Sequence, residues 1–287
     1  MTEEKMQFAL VIHNHQPVGN RDDIIEEIYM QCYLPFLQKL TEYPAIKVNL
    51  HYTGFLLEWF EEHHPEFIEL LRGLVDSGRA EILGGAYYEP IISVIPNVDA
   101  VGQTNLLRDK IHTIFSTRAQ GFWLAERAWE PQLPEVLDSA NSEYTLVDDI
   151  AFESAGMSEG DCFEPYQMES RGKFVAAFPI LKKLRYYIPF KSVSLCISYL
   201  KAAWKAHLPI AVYGDDGEKF GAWPTTFDRV YTQGWLDSFL QELTKNVDWL
   251  ETVKLSEYLQ QHPPSKRIYL PACAYSEMME WSIPMFG

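Results

Sequence analysis

Apolar residues follow two rhythms along this chain. Short blocks of aliphatic, β-branched or aromatic residues occupy 8–12, 46–51, 80–83, 121–124, 144–147, 173–178 and 208–213. Blocks of this length, bounded by polar or Gly-rich sequence, read as strands buried on both faces. Between them, apolar positions recur every three or four residues. In 22–40 they are Ile25, Ile28, Tyr29 and Leu37, which form one face of a helix. Similar spacing predicts a helix pair at 55–60 and 66–76 and further helices at 99–115 and 133–139. Strands alternating with helices imply a parallel sheet. Seven or more such units favour a barrel over an open sheet. With no internal repeat, low-complexity tract or Gly/Ser linker, 1–287 reads as a single α/β domain with mainly parallel strands.

Charge narrows the partners. The chain carries 24 basic and 40 acidic residues, a net charge of −16. Nucleic acids and anionic membranes need basic patches, so neither is an expected partner, whereas a small or neutral ligand suits such a surface. A homo-oligomer stays open. No apolar stretch reaches the roughly 18 residues of a membrane span. The run from Met6 to Ile12 stops at His13, too early for a signal-peptide core. Cys32, Cys162, Cys196 and Cys273 are scattered without metal-type spacing, which predicts reduced structural thiols in a cytoplasmic protein.

Candidate chemistry sits just after the strands, where parallel barrels build their sites. His13 and His15 follow the first block, His51 the second and Glu89 the third. Glu126 follows the fourth, Asp148 and Asp149 the fifth, and Asp215 and Asp216 the seventh. In Ile12-His13-Asn14-His15-Gln16-Pro17, two histidines at i and i+2 on extended chain face one side. They suit polar substrate contacts, a zinc ion with further ligands, or simple hydrogen bonding at a strand end. In Trp123-Leu124-Ala125-Glu126-Arg127-Ala128-Trp129, a carboxylate lies beside two indoles and a guanidinium. Arg127 is expected to hold Glu126 ionised, and the indoles to face sugar rings. The plainer alternative is a structural Glu–Arg pair with two core tryptophans. Gly214-Asp215-Asp216-Gly217-Glu218 reads as a tight loop presenting carboxylates, with a solvated acidic turn as the bland alternative. It lacks the ligand alternation of a calcium loop. Carboxylates on two different strands, surrounded by aromatics, are the minimum set for glycosidic cleavage.

Five motifs, in order and over nearly the whole chain, carry a resemblance. They are His13-Asn14-His15-Gln16-Pro17; Glu81-Ile82-Leu83-Gly84-Gly85-Ala86-Tyr87-Tyr88-Glu89-Pro90; Trp123-Leu124-Ala125-Glu126-Arg127 with Trp129-Glu130-Pro131; Asp215-Asp216-Gly217-Glu218-Lys219-Phe220-Gly221 with Trp223-Pro224; and Ala274-Tyr275-Ser276-Glu277-Met278-Met279-Glu280-Trp281. On these the chain resembles glycoside hydrolase family 57, in its 4-α-glucanotransferase and α-amylase branch. The resemblance implies an incomplete (β/α)₇ barrel and chemistry that retains anomeric configuration. It implies Glu126 as nucleophile and Asp216 as general acid/base. It places His13, His15, Glu81, Trp123, Arg127, Trp223 and Trp281 along sugar subsites, with Glu89 and Asp148 nearby. An α-1,4-glucan or maltooligosaccharide is the implied substrate, with no cofactor and no metal. Members of the branch continue into a helical segment and a β-sandwich domain that the 287 residues do not include. Three other readings compete with a glucanotransferase: an α-amylase, with water as acceptor; a metal-dependent deacetylase or α-mannosidase built on His13, His15 and an Asp; and a non-catalytic glucan-binding protein. Asp215, the neighbour of Asp216 on extended chain, is expected to face away into a structural contact.

Overall fold

The computed structural model describes residues 4–282. All seven apolar blocks are strands: β1 (Met6–Asn14), β2 (Val48–Tyr52), β3 (Ala80–Leu83), β4 (Gly121–Phe122), β5 (Tyr144–Asp148), β7 (Lys173–Ile180) and β8 (Ile210–Asp216). Two more lie between and after them, β6 (Tyr166–Ser170) and β9 (Leu250–Thr252). One sheet runs β3-β2-β1-β8, with β9 beside the start of β1; the other runs β4-β5-β7-β6. Every pairing is parallel except β6 with β7. The sheets meet at two narrow seams. Gly84 bridges to Phe122, and the Leu181 N–H donates to the Val212 carbonyl at 3.0 Å. Strands β1, β2, β3, β4, β5, β7 and β8 thus form a ring whose two seams are thinly bonded, an incomplete barrel.

Alternation divides the side chains between two cores. Ala9, Val11, Leu83, Leu146, Phe178 and Val212 pack inside the ring. Phe8, Leu10, Ile12, Leu50, Ile82 and Tyr213 point outward into the larger core under the helices. Val253, Leu255 and Tyr258 close the inner core beside the start of β1. The same alternation continues to the other rim, where its last inward positions are polar: His13 beyond Val11, His51 beyond Asn49, Asp148 beyond Leu146 and Asp216 beyond Gly214.

Two departures from the sequence reading have physical causes, and a third is a set of helices the sequence reading left out. The helix expected over 22–40 is broken into Asp22–Ile28, a π-helical turn Tyr29–Tyr33, and Leu34–Thr41. Pro35 has no N–H to give the Gln31 carbonyl, so the ladder shifts there. Strand β6 pairs antiparallel to β7 through Arg171 and Gly172, both at positive φ, a two-residue hairpin turn. Beyond residue 180 lie helices not read from the sequence: Lys182–Tyr187, Val193–Lys205, Trp235–Lys245, Leu255–Gln261 and Ser276–Ser282.

Candidate functional site

The polar rim opens into a cleft of about 550 Å³. His13, His15, Glu89, Trp123, Glu126, Arg127, Asp216, Trp223 and Trp281 all line it. These come from all five motifs, and the fifth also adds Tyr275. Trp223 and Trp281 are 40% and 75% exposed and stand at the mouth. Trp123 is buried, and its ring stacks on His13 with centroids 4.7 Å apart.

Glu126 stands on a strained turn. Strand β4 ends at Phe122, and Glu126 and Arg127 then take consecutive left-handed conformations, φ 52° and 46°. Such values are costly for residues with a Cβ and persist only where surroundings enforce them. Here the enforcement is ionic. The turn leaves Glu126 exposed and drives Arg127 under the cleft floor. Arg127 Nε lies 2.7 Å from Asp148 Oδ2, and its NH1 group 3.5 Å from Asp215 Oδ1. Arg185 repeats the pattern, 3.2 Å from Asp148 and 3.3 Å from Asp215. Lys219 pairs with Asp215 as well. Burial alone would raise Asp215, but Lys219, Arg185 and Arg127 outweigh it and hold it below the ordinary carboxylate range. This buried lattice ties the ends of β5 and β8 to the β4 turn and the Lys182–Tyr187 helix.

Two expectations are corrected by this arrangement. Arg127 pairs with Asp148 and Asp215, and it reaches Glu126 only through Tyr275. Its guanidinium lies 4.4 Å from the Tyr275 ring centroid, and the Tyr275 hydroxyl donates to Glu126 Oε2 at 2.8 Å. Burial and that carboxylate push the Tyr275 phenol up to about 12. Glu81 does not line the cleft. It sits one turn of alternation lower in the ring, where its carboxylate accepts from Tyr144 at 2.9 Å and from the Ser256 backbone and hydroxyl at 3.0 and 2.9 Å. It shares a motif with Glu89 but lies within β3, two residues before the strand ends at Leu83. Asp148, wholly buried, lies beneath the cleft rather than in it. Asp215 faces away from the cleft into the ion lattice, as strand alternation requires.

A second cluster forms the opposite wall. Glu89, itself at φ 54°, forms ion pairs with His13, whose Nε2 is 3.0 Å away, and His15, whose Nδ1 is 2.5 Å away. Burial opposes its ionisation, but the two histidines prevail and hold it well below the usual carboxylate range. Next to it Glu218 accepts from the His15 backbone N–H at 3.1 Å and from the Tyr33 hydroxyl. Burial pushes Glu218 up, against the pull of His13 and Tyr33. Glu218, Tyr275, Arg185 and Phe190 also line the cleft and were not among the expected site residues. Position in a motif was the available signal for the first two. Arg185 and Phe190 lie in the stretch 183–190, whose approach to the rim depends on tertiary packing.

A parallel ring whose C-terminal rim gathers acidic residues, histidines and tryptophans around an open cleft belongs to the class of α/β barrels that present a sugar-sized site. Comparison with known proteins is more specific. The profile described as glycosyl hydrolase family 57 matches residues 9–271, and the chain belongs to that family. It is 43% identical over 282 residues to a 4-alpha-glucanotransferase of Thermococcus litoralis, covering 98% of this chain and 42% of that protein. It is 44% identical over 279 residues to alpha-amylase 1 of Dictyoglomus thermophilum, covering 97% and 41%. The crystal structure of the Thermococcus litoralis 4-alpha-glucanotransferase superposes with a TM-score of 0.95, over 98% of this chain and 44% of that one. The chain thus spans less than half the length of the curated relatives it matches. A putative polysaccharide deacetylase from Mycobacterium smegmatis shares the fold at 14% identity, with a TM-score of 0.66 over 95% of this chain and 94% of that one. Among the described residues no helix is long and apolar enough to cross a membrane.

Proposed function

We propose that this chain carries the catalytic barrel of a retaining enzyme acting on α-1,4-glucans, foremost a 4-α-glucanotransferase. The observation that carries the reading is the convergence of Glu126 and Asp216, from β4 and β8, on one tryptophan-lined cleft. Glu126 attacks the anomeric carbon. Tyr275 donates to its Oε2, which leaves Oε1 as the attacking oxygen. The glycosidic C–O bond breaks as Asp216 gives its proton to the departing oxygen, and a covalent glucosyl-enzyme results. Asp216, now a carboxylate, takes the proton from the hydroxyl of an acceptor glucan as that oxygen displaces Glu126. His13, His15 and Glu89 bind sugar hydroxyls on the opposite wall. Trp123, Trp223 and Trp281 offer apolar faces to the rings. A neutral polymer suits a chain of net charge −16. Four free cysteines, three of them buried, suit a reducing cytoplasm.

An α-amylase uses the same residues with water as acceptor, and relatives of both names match equally well. Incubation with maltotriose separates the two. The account expects glucose together with a ladder of longer maltooligosaccharides. Shorter sugars alone would identify a hydrolase, and no turnover by the folded chain would overturn the reading for these residues.

A further inference from the structure

The rim holds one histidine that no cleft contact explains. His51, at the end of β2, is wholly buried and pairs across the sheet with His13. The two Nδ1 atoms are 2.8 Å apart, and the ring centroids 4.9 Å. The far nitrogen of His51, Nε2, is buried without a hydrogen-bond partner. The backbone at Gly85 packs against it so closely that a Cβ there would come within 2.5 Å. His51 thus packs against Gly85, Trp123 and His13 and does not itself line the cleft.

One proton lies between the two Nδ1 atoms, and its owner fixes the state of His13. His13 Nε2 already faces the buried carboxylate of Glu89. His15, Glu89, Asp216, Glu218 and the Trp123 ring surround the rest of it. A buried carboxylate needs a cation close by, and His13 supplies one only if both ring nitrogens carry protons.

We propose that His51 is a positioning residue: its Nδ1 accepts the Nδ1 proton of His13, so that His13 stands as a double N–H donor beside Glu89. The energetics agree. Burial and the neighbouring His13 push His51 down to about 3, so it stays neutral and accepts. Burial would lower His13 too, but Glu89, Asp216 and Glu218 raise it above its ordinary value. Gly85 is then a glycine because the wall must close on His51 and fix its ring. The consequence for turnover rests on the reading of the cleft as a glucan site; the protonation states do not.

The test is therefore spectroscopic first. Long-range ¹⁵N–¹H spectra of the histidine-labelled chain should show both His13 nitrogens protonated near neutral pH and His51 protonated on Nε2 alone. A proton on His51 Nδ1 with a neutral His13 would overturn the proposal, whether or not the chain is active. Two variants add the causal step. His51→Leu removes the acceptor, so the His13 midpoint should fall by about one to two pH units. In His51→Asn, a carbonyl oxygen stands near the lost Nδ1, and most of that shift should be reversed. With maltotriose, kcat/KM of His51→Leu should decline at correspondingly lower pH. An unmoved His13 midpoint in folded His51→Leu contradicts the proposal. If that variant does not fold, the wild-type spectra still decide.

Discussion

Asp149 is the residue whose environment costs the fold most visibly. It begins the helix Asp149–Ser154 and is 7% exposed. Its carboxylate accepts the Lys182 backbone N–H at 2.8 Å, while its other oxygen is buried without a partner. Burial, and then the charge of Asp148, push it up to about 7 despite that hydrogen bond. An unfolded aspartate titrates near 3.9. Between those values the folded state binds the extra proton, so this residue's contribution to stability declines as pH rises from about 4 to 7. The gap is worth up to about 4 kcal/mol. Asp149→Asn keeps the acceptor for Lys182 and removes the charge. The variant should gain stability over wild type at pH 8 and show little difference at pH 4, by denaturant titration. Equal effects at both values would contradict the assignment. Single residues were also where sequence reasoning was weakest. Asp148 beside Asp149, and Asp215 beside Asp216, have the same side chains in the same strand-end context. Strand alternation tells Asp215 from Asp216, but only the ion lattice below the rim separates Asp148 from Asp149, and its members, Arg127, Arg185 and Lys219, lie far apart in sequence.

At the scale of elements, the site loop after β8 leans on the broken first helix. Cys32 Sγ donates to the Gly217 carbonyl at 3.0 Å, and the Tyr231 hydroxyl to the Cys32 carbonyl at 3.2 Å. The Gln31 carbonyl, deprived of its helical donor by Pro35, faces Gly221. At φ 140°, with that oxygen directly in the way of a Cβ, Gly221 admits no other residue without backbone movement. Gly221→Ala should destabilise the chain by about 3 kcal/mol. Gly73 provides the control. It lies within the helix Pro65–Asp76 in open space, so Gly73→Ala should stabilise by about 1 kcal/mol. Calorimetry checks both, and equal effects would show that the contact with Gln31 does not constrain the loop. The apolar blocks mark all seven strands of the ring because strands buried on both faces leave an unbroken signature. Strand β6, with Gln167 and Glu169 alternating outward, and the three-residue β9 leave none. The π turn was hidden because its apolar spacing stays close to helical.

At the scale of the whole molecule, the barrel explains why distant motifs form one site. Inward positions of successive strands end at a common rim, so the ring brings His13 and Asp216 to one cleft, and the turn after β4 adds Glu126. Motif order identified the rim residues and misplaced Glu81, whose depth in the ring depends on strand register. The central claim is that Glu126 is the nucleophile of a retaining pair with Asp216. The direct measurement is mass spectrometry of the chain after reaction with an α-glucosyl fluoride bearing a second fluorine at C5, which slows release of a covalent intermediate. The account predicts one added glucosyl unit on the peptide containing Glu126 and none in Glu126→Gln. A glucosyl unit on Asp216, or on any other carboxylate, would contradict it.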